Sequence, residues 1–324
     1  MLGCITVRGK LMPVSPTPSE AGLPQRRFWP WLARAPLTRI VVFVLLLVGM
    51  LFVTDHILLG LHVPVSPRDA SSGQLIPIVL LNLFSFGFAY WLLVRWIEQR
   101  KVSELALHKL LPDSAAGLGI GTALMLAVTG VLWLAGAYSV VGTDAHAPWL
   151  RNLVLVAVVP GITEEIVSRG VLYRIVEEGM GSWIALLVSS LFFGFMHAMN
   201  AHATPWSCLA IAIEAGLLLG LLYTVTRSLY LCMGLHAGWN FLQGAVLGIP
   251  VSGTDPHGVL VATLQGPVWL SGGPFGAEAS VVTVALLGGM SCGLAAHAIR
   301  RGLIVPPFWR RNLRIARDGM SIPR

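Results

Sequence analysis

Long apolar stretches recur along the whole sequence and restrict the chain to few fold classes. A bilayer-spanning helix needs about 20 apolar residues, and eight stretches near that length lie at about 37–60, 75–97, 116–141, 149–175, 182–200, 205–226, 228–248 and 279–300. Charged residues make up only 11% of the chain, too few to cover the surface of a soluble fold of this length. We therefore expect an all-α fold, a polytopic membrane helical bundle with about eight transmembrane helices.

The two chain ends differ from the rest by being basic. Residues 1–36 contain six prolines that interrupt every apolar run, so we expect a flexible cytoplasmic tail and not a signal peptide. Residues 37–300 are expected to form a single transmembrane domain, and residues 301–324 a second basic cytoplasmic tail. The polar connection 98–115 predicts a short amphipathic helix at the membrane interface.

The basic residues predict an orientation in the membrane. If the eight stretches alternate in direction, 20 of the 22 Lys and Arg residues fall on one side, and only Arg68 and Arg151 fall on the other. Because cytoplasmic loops carry the excess of Lys and Arg, we expect both termini in the cytoplasm, in a bacterial plasma membrane. Topology explains the net charge of +7 better than nucleic-acid binding, and we expect no nucleic-acid partner.

Two adjacent glutamates lie inside the fourth apolar stretch. Charge at this depth costs at least about 2.5–3.5 kcal/mol per residue, so such residues are rare and usually functional. Glu165 and Arg169 are four residues apart and share a helix face, which predicts a structural ion pair. Glu164 lies about 100° away round the helix and has no partner in its own helix, which predicts a functional role.

Two histidines and an asparagine complete a polar set on separate stretches. His197 lies in the fifth stretch, and His236 and Asn240 lie one helical turn apart in the seventh. A turn at Gly179–Gly181 would make the fourth and fifth stretches an antiparallel hairpin and place Glu164 level with His197. We therefore expect these side chains to converge at one depth.

Three motifs follow in order: Glu164-Glu165-x-x-x-Arg169, Phe193-x-x-x-His197 and His236-x-x-x-Asn240. This pattern resembles the CPBP family of intramembrane endopeptidases, or Abi family, which includes CAAX prenyl proteases and bacteriocin-processing or immunity proteins. The family-like region covers about residues 100–248. The resemblance implies a catalytic Glu164 with His197, His236 and Asn240 around the reacting centre, and Glu165, Arg169 and Phe193 supporting it.

The chemistry of these residues allows two mechanisms. A desolvated glutamate can act as a general base on water, with His and Asn donors stabilising an oxyanion. Alternatively, Glu164, His197 and His236 could hold a divalent metal such as zinc with an open position for water, although the usual His-Glu-x-x-His motif is absent. Either way, the expected partners are a peptide or protein substrate, reached from the cytoplasmic leaflet, and membrane lipid.

Two other function classes use the same residues. The chain could be a non-proteolytic membrane scaffold or a bacteriocin self-immunity protein, or a transporter with Glu164 and the histidines as proton-coupling groups. Among lesser candidates, Glu214 is expected to make a structural pair, and Asn200 and His202 to lie at the interface. The Gly- and Pro-rich connection 249–278 adds little to the resemblance. Gly194 and Gly238 are expected to permit close helix approach beside the motifs.

Overall fold

The computed structural model describes residues 35–254 and 257–311. Eight helical runs follow in chain order: α1 (Pro36–Gly60), α2 (Ser72–Ile97), α3 (Leu110–Leu134), α4 (from Trp149 to Met180), α5 (Ser182–Met196), α6 (Pro205–Thr226), α7 (Leu229–Asn240, continued by a π-helical turn Phe241–Val246) and α8 (Val281–Arg300). Strands β1 (Tyr138–Thr143) and β2 (Leu260–Leu264) form a small antiparallel sheet.

The helices confirm an all-α, polytopic membrane bundle. Within the described residues, five helices are long and apolar enough to cross a membrane: α1, α2, α3 with its preceding turn, α6 and α8. α5 is apolar but only 15 residues long, and α4 alternates α-helical segments with the π-helical turns Leu153–Val158 and Ile166–Tyr173. The number of eight spans therefore stays a prediction.

Three local predictions were wrong. The third stretch ends as a helix at Leu134, because Gly136 adopts a positive φ of 70°, and the following residues form β1. α5 ends at Met196, so that His197 caps it instead of lying inside it. The connection 98–115 contains two 3₁₀ turns, Ser103–Leu105 and Leu107–Lys109, where an amphipathic helix was expected.

Glu104 explains why the connection after α2 is held as turns. Its side chain is buried and accepts hydrogen bonds from Arg100 and from the hydroxyl of Tyr90 in α2. Burial by itself would raise the pKa of Glu104, but the hydrogen bonds from Arg100 and Tyr90 outweigh it and hold the pKa at about 2. These bonds tie the connection to the bundle.

Close packing of α3 against α7 fixes the helix that carries His236. A Cβ atom on Gly238 would lie 2.4 Å from the carbonyl oxygen of Leu118, and one on Gly121 would lie 2.1 Å from that of Leu235. Small residues let helix backbones approach in this way in membranes. The close approach predicted for Gly194 is also present, since a Cβ there would lie 2.3 Å from the carbonyl oxygen of Cys208 in α6.

One end of the bundle is held by ion pairs between helix ends. Arg39 of α1 and Arg174 of α4 both bind Glu98 at the end of α2, at 3.1 and 2.9 Å. Arg174 also binds Glu178 at 3.0 Å. We name these four residues the paired end. The paired end lies on the side of the bundle where the sequence predicts most Lys and Arg residues. The orientation of the termini stays a prediction.

The predicted tails are described only in part. Residues 1–34 and 312–324 lie outside the described residues, so the expectation for the first tail is not addressed. Residues 301–311 are described, and Val305 exchanges hydrogen bonds with Ser182 at the start of α5, with its carbonyl accepting at 2.9 Å and its N–H donating at 2.8 Å. The first part of the C-terminal segment therefore packs on the hairpin formed by α4 and α5.

Candidate active site

The predicted ion pair between Glu165 and Arg169 is present and fully enclosed. Both residues are 0% exposed, and Nη1 of Arg169 donates to Oε1 of Glu165 at 2.7 Å. Nη2 of Arg169 also donates to the carbonyl of Ala215 in α6 at 2.8 Å. The guanidinium lies over the ring of Phe193 in α5, 4.6 Å from its centroid. One arginine therefore joins α4, α5 and α6.

His236 is attached to the same ion pair. Its Nδ1 lies 3.1 Å from Oε1 of Glu165, so a carboxylate held in place by Arg169 orients the imidazole from α7. The Phe193 ring packs edge-on against His236, with centroids 6.0 Å apart, and against His197 at 5.1 Å. The three residues expected to support the site, Glu165, Arg169 and Phe193, thus contact its histidines or each other.

Glu164 occupies a different environment from its neighbour. Oε2 of Glu164 is buried without a hydrogen-bond partner, and no ion pair with Glu164 is found among the described residues. The side chain lines a cavity of about 210 Å³ together with His197, Phe86, Phe192 and Met196. We name this the glutamate cavity.

His197 also lines a second, smaller cavity. It has a volume of about 40 Å³, enough for about three water molecules at about 10–15 Å³ each. We name it the histidine cavity, and its polar lining is formed by His197, Glu214, His236, Asn240, Ser252 and Glu278. His197 and Phe193 line both cavities.

The four expected catalytic residues are therefore close but do not share one cavity. His197, His236 and Asn240 line the histidine cavity, and Glu164 and His197 line the glutamate cavity. Glu164 lies within electrostatic range of His236. Asn240 donates its amide to the carbonyl of Val156 at 2.9 Å, which holds the first π-helical turn of α4 against α7.

Hydrogen bonds determine which nitrogen of His197 carries a proton. Nδ1 lies 2.8 Å from the carbonyl oxygen of Phe193, and a carbonyl can only accept, so Nδ1 donates. Neutral His197 then carries a lone pair on Nε2. The same reasoning applies to His236, whose Nδ1 faces the Glu165 carboxylate.

The metal alternative is not supported by the geometry. Among the described residues, no group of three or more His, Cys, Asp and Glu side chains is arranged to hold a metal ion. Glu164 and His236 line different cavities, which explains why the proposed ligands Glu164, His197 and His236 do not form a three-ligand set.

Two acidic residues that line the histidine cavity were not among the expected site residues. Glu214, expected to make a structural pair, is 2% exposed and lines the histidine cavity, with its Oε2 unpartnered. Glu278, in the turn Ala277–Ala279, was not considered. Burial raises the pKa of Glu278 to about 7, although hydrogen bonds from Ser252 oppose the rise. The sequence offers one signal for Glu278: it is a carboxylate in the connection 249–278, which contains no Lys or Arg to pair with it.

The comparison with protein families agrees with the motifs. Residues 146–242 match the family model described as type II CAAX prenyl endopeptidase Rce1-like, and this segment contains all three motifs. The match confirms the resemblance and supports, at the level of the family, an intramembrane endopeptidase in an integral membrane protein. A search of curated proteins and a search of solved structures return no significant match.

Proposed function

We propose that the protein is an intramembrane endopeptidase in which Glu164 activates the attacking water. The observation that carries this proposal is the unpartnered carboxylate of Glu164 in the glutamate cavity. Glu165 already binds Arg169 and His236, so its negative charge is balanced by these partners. Glu164 alone of the pair is free to take a proton from water.

The hydrogen-bonding pattern suggests how the water would be held. The Glu164 carboxylate and, in neutral His197, Nε2 are both acceptors, so one water molecule can donate a hydrogen bond to each and turn its lone pair towards a carbonyl carbon. Transfer of one proton to Glu164 produces the hydroxide that attacks. When the tetrahedral intermediate collapses, the protonated Glu164 gives this proton to the leaving amine.

His236 is placed to stabilise negative charge on the oxyanion. Its Nδ1 is held by Glu165, and Nε2 has no hydrogen-bond partner among the described residues. When the ring carries its second proton, Nε2 donates a hydrogen bond and the ring supplies positive charge. Asn240 orients this region by holding Val156.

The substrate class follows from the surroundings of the glutamate cavity. Aromatic and apolar side chains, including Phe86 and Phe192, line it beside the polar residues, which suits a peptide segment with apolar side chains. We propose access from the cytoplasmic leaflet, with both termini cytoplasmic, because the predicted basic side coincides with the paired end.

Cleavage by the purified protein tests the proposal. The full chain is reconstituted in vesicles and incubated with a library of apolar peptides, with and without prenyl groups, in the presence and absence of a chelator. We expect cleavage that persists with chelator. No cleavage of any peptide would favour a scaffold or immunity role, and cleavage lost with chelator would restore the metal alternative.

A further inference from the structure

The loop between α7 and α8 contributes directly to the site. Its described parts, residues 247–254 and 257–280, fold back towards the bundle, and Ser252 and Glu278 line the histidine cavity with His197. The same loop also touches the turn that follows α5, residues 197–204. It therefore contacts both the cavity and the segment that places one of its histidines.

Hydrogen bonds connect the loop to that turn through a single residue. The backbone N–H and the hydroxyl of Ser252 both donate to Oε2 of Glu278, at 2.5 and 3.1 Å. The carbonyl of Ser252 accepts from Nδ2 of Asn200 at 2.9 Å. We name the chain Asn200–Ser252–Glu278 the loop latch.

The backbone beside the loop latch is also fitted closely to the turn. A Cβ atom on Gly253 would lie 1.8 Å from the carbonyl oxygen of Ala201, and the N–H of Gly253 donates to the carbonyl of Phe275 at 2.8 Å. Ser252 has a φ of +47°, a left-handed conformation that residues other than glycine rarely adopt. Its contacts on both sides hold it there.

His197 depends on this turn for its position. The imidazole has one hydrogen bond within the described residues, from Nδ1 to the carbonyl of Phe193 at 2.8 Å. His197 is the first residue after α5, and its carbonyl accepts from the N–H of Asn200 at 3.1 Å. A shift of Asn200 would therefore displace His197 in both cavities.

We propose that Ser252 and Glu278 are positioning residues, which hold the turn through Asn200 and so place His197 for the reaction. The inference rests on the proposed function, because it assigns His197 a part in holding the water. Neither residue needs to touch the substrate. Displacing a reacting group by about 1 Å can cost up to a hundredfold in rate, so a loosened turn should slow the chemical step.

Hydrogen exchange tests the loop latch without any substrate. Ser252→Gly suits the left-handed backbone and removes the hydroxymethyl side chain with its hydrogen bond to Glu278, and Glu278→Gln keeps the shape of the side chain but removes its charge. We expect both full-length variants to fold and to lose about tenfold in amide protection within residues 197–204, since weaker bonds let the turn open more often. Ser271→Ala is the control, because its hydroxyl bonds only within the loop, donating to the carbonyl of Pro267 and accepting from the N–H of Gly273. Unchanged protection in 197–204 would overturn the proposal.

Kinetics then test whether the turn matters for the reaction. We expect kcat to fall about tenfold in Ser252→Gly and Glu278→Gln while KM stays within about twofold, as for a misplaced catalytic group. Reduced protection with an unchanged kcat would contradict the positioning role. If the unsubstituted protein cleaves nothing, the proposed function fails, and hydrogen exchange alone decides whether the loop latch holds the turn.

Discussion

Carboxylates gather in two regions of the protein, and the regions differ in whether arginine binds these carboxylates. At the paired end, Glu98 and Glu178 each bind two or more arginines. Around the two cavities, Glu164, Glu214 and Glu278 have no ion pair with Lys or Arg among the described residues. Burial of a carboxylate, as at Glu98, therefore does not by itself identify a functional residue in this fold.

Glu165 lies between these two cases. Like the acids of the paired end, it binds an arginine, and it also contacts His236, which lines the histidine cavity. The motif thus contains one carboxylate that holds the structure and one that is left available, in adjacent positions. This contrast can be tested by removing charges from each region in turn.

Removing the cation of the enclosed ion pair should have the largest effect on folding. Arg169→Met leaves Glu165 buried without its arginine and removes the link to Ala215. Breaking a buried pair in this way costs about 3–5 kcal/mol. The free energy of unfolding in mixed micelles, measured against the unsubstituted protein, should fall by this amount. A loss below about 1 kcal/mol, the usual worth of a surface pair, would show that the pair is not structural.

The pH dependence of stability should report the unpaired Glu278. Its pKa is raised from 4.5 to about 7 in the fold, so the folded state holds a proton that the unfolded chain releases between these values. The contribution is full below pH 4.5 and is lost as pH rises to about 7, a change of roughly 3 kcal/mol. Unfolding measured at pH 5 and pH 8 should show it.

The matched variant for this measurement is Glu278→Gln, which does not titrate. Its stability should depend less on pH over the same interval than that of the unsubstituted protein. An identical pH dependence in the two proteins would mean that Glu278 does not bind the extra proton.

Removing one charge of the paired end should lower the stability less than Arg169→Met does, because several ion pairs hold this end together. Glu98→Gln weakens hydrogen bonds from Arg39, Arg100 and Arg174 but leaves Glu178 to bind two of them. We expect a loss of about 1–3 kcal/mol, the usual range for hydrogen bonds to charged groups, with kcat unchanged. A loss of activity in a folded Glu98→Gln protein would contradict a purely structural role for the paired end.

Local spacing was enough to predict part of the site. The ion pair of Glu165 and Arg169 follows from residues four apart on one helix, and the hairpin follows from Gly181, whose φ of 82° ends α4 before α5 begins. His236 and Asn240 both line the histidine cavity, which follows from their spacing of one helical turn. Each of these features is set within a few residues of chain.

The features that escaped prediction depend on distant contacts. Glu278 reaches the histidine cavity because the loop between α7 and α8 folds back, and no local pattern marks that return. The pairing of β1 with β2 joins residues more than a hundred positions apart, such as Tyr138 and Leu264. The turn after α5 is also held by a remote contact, that of Asn200 with Ser252.

The central claim is that Glu164 is kept free of partners in order to activate water. The most direct measurement is single-turnover cleavage and unfolding of Glu164→Gln beside Glu178→Gln, a control with the same change on the same helix but 45% exposed. The account predicts that Glu164→Gln loses about 10²–10⁴ in rate while its stability changes by no more than about 0.5 kcal/mol, and that Glu178→Gln keeps its rate. A folded Glu164→Gln protein that cleaves at the unsubstituted rate would contradict the account.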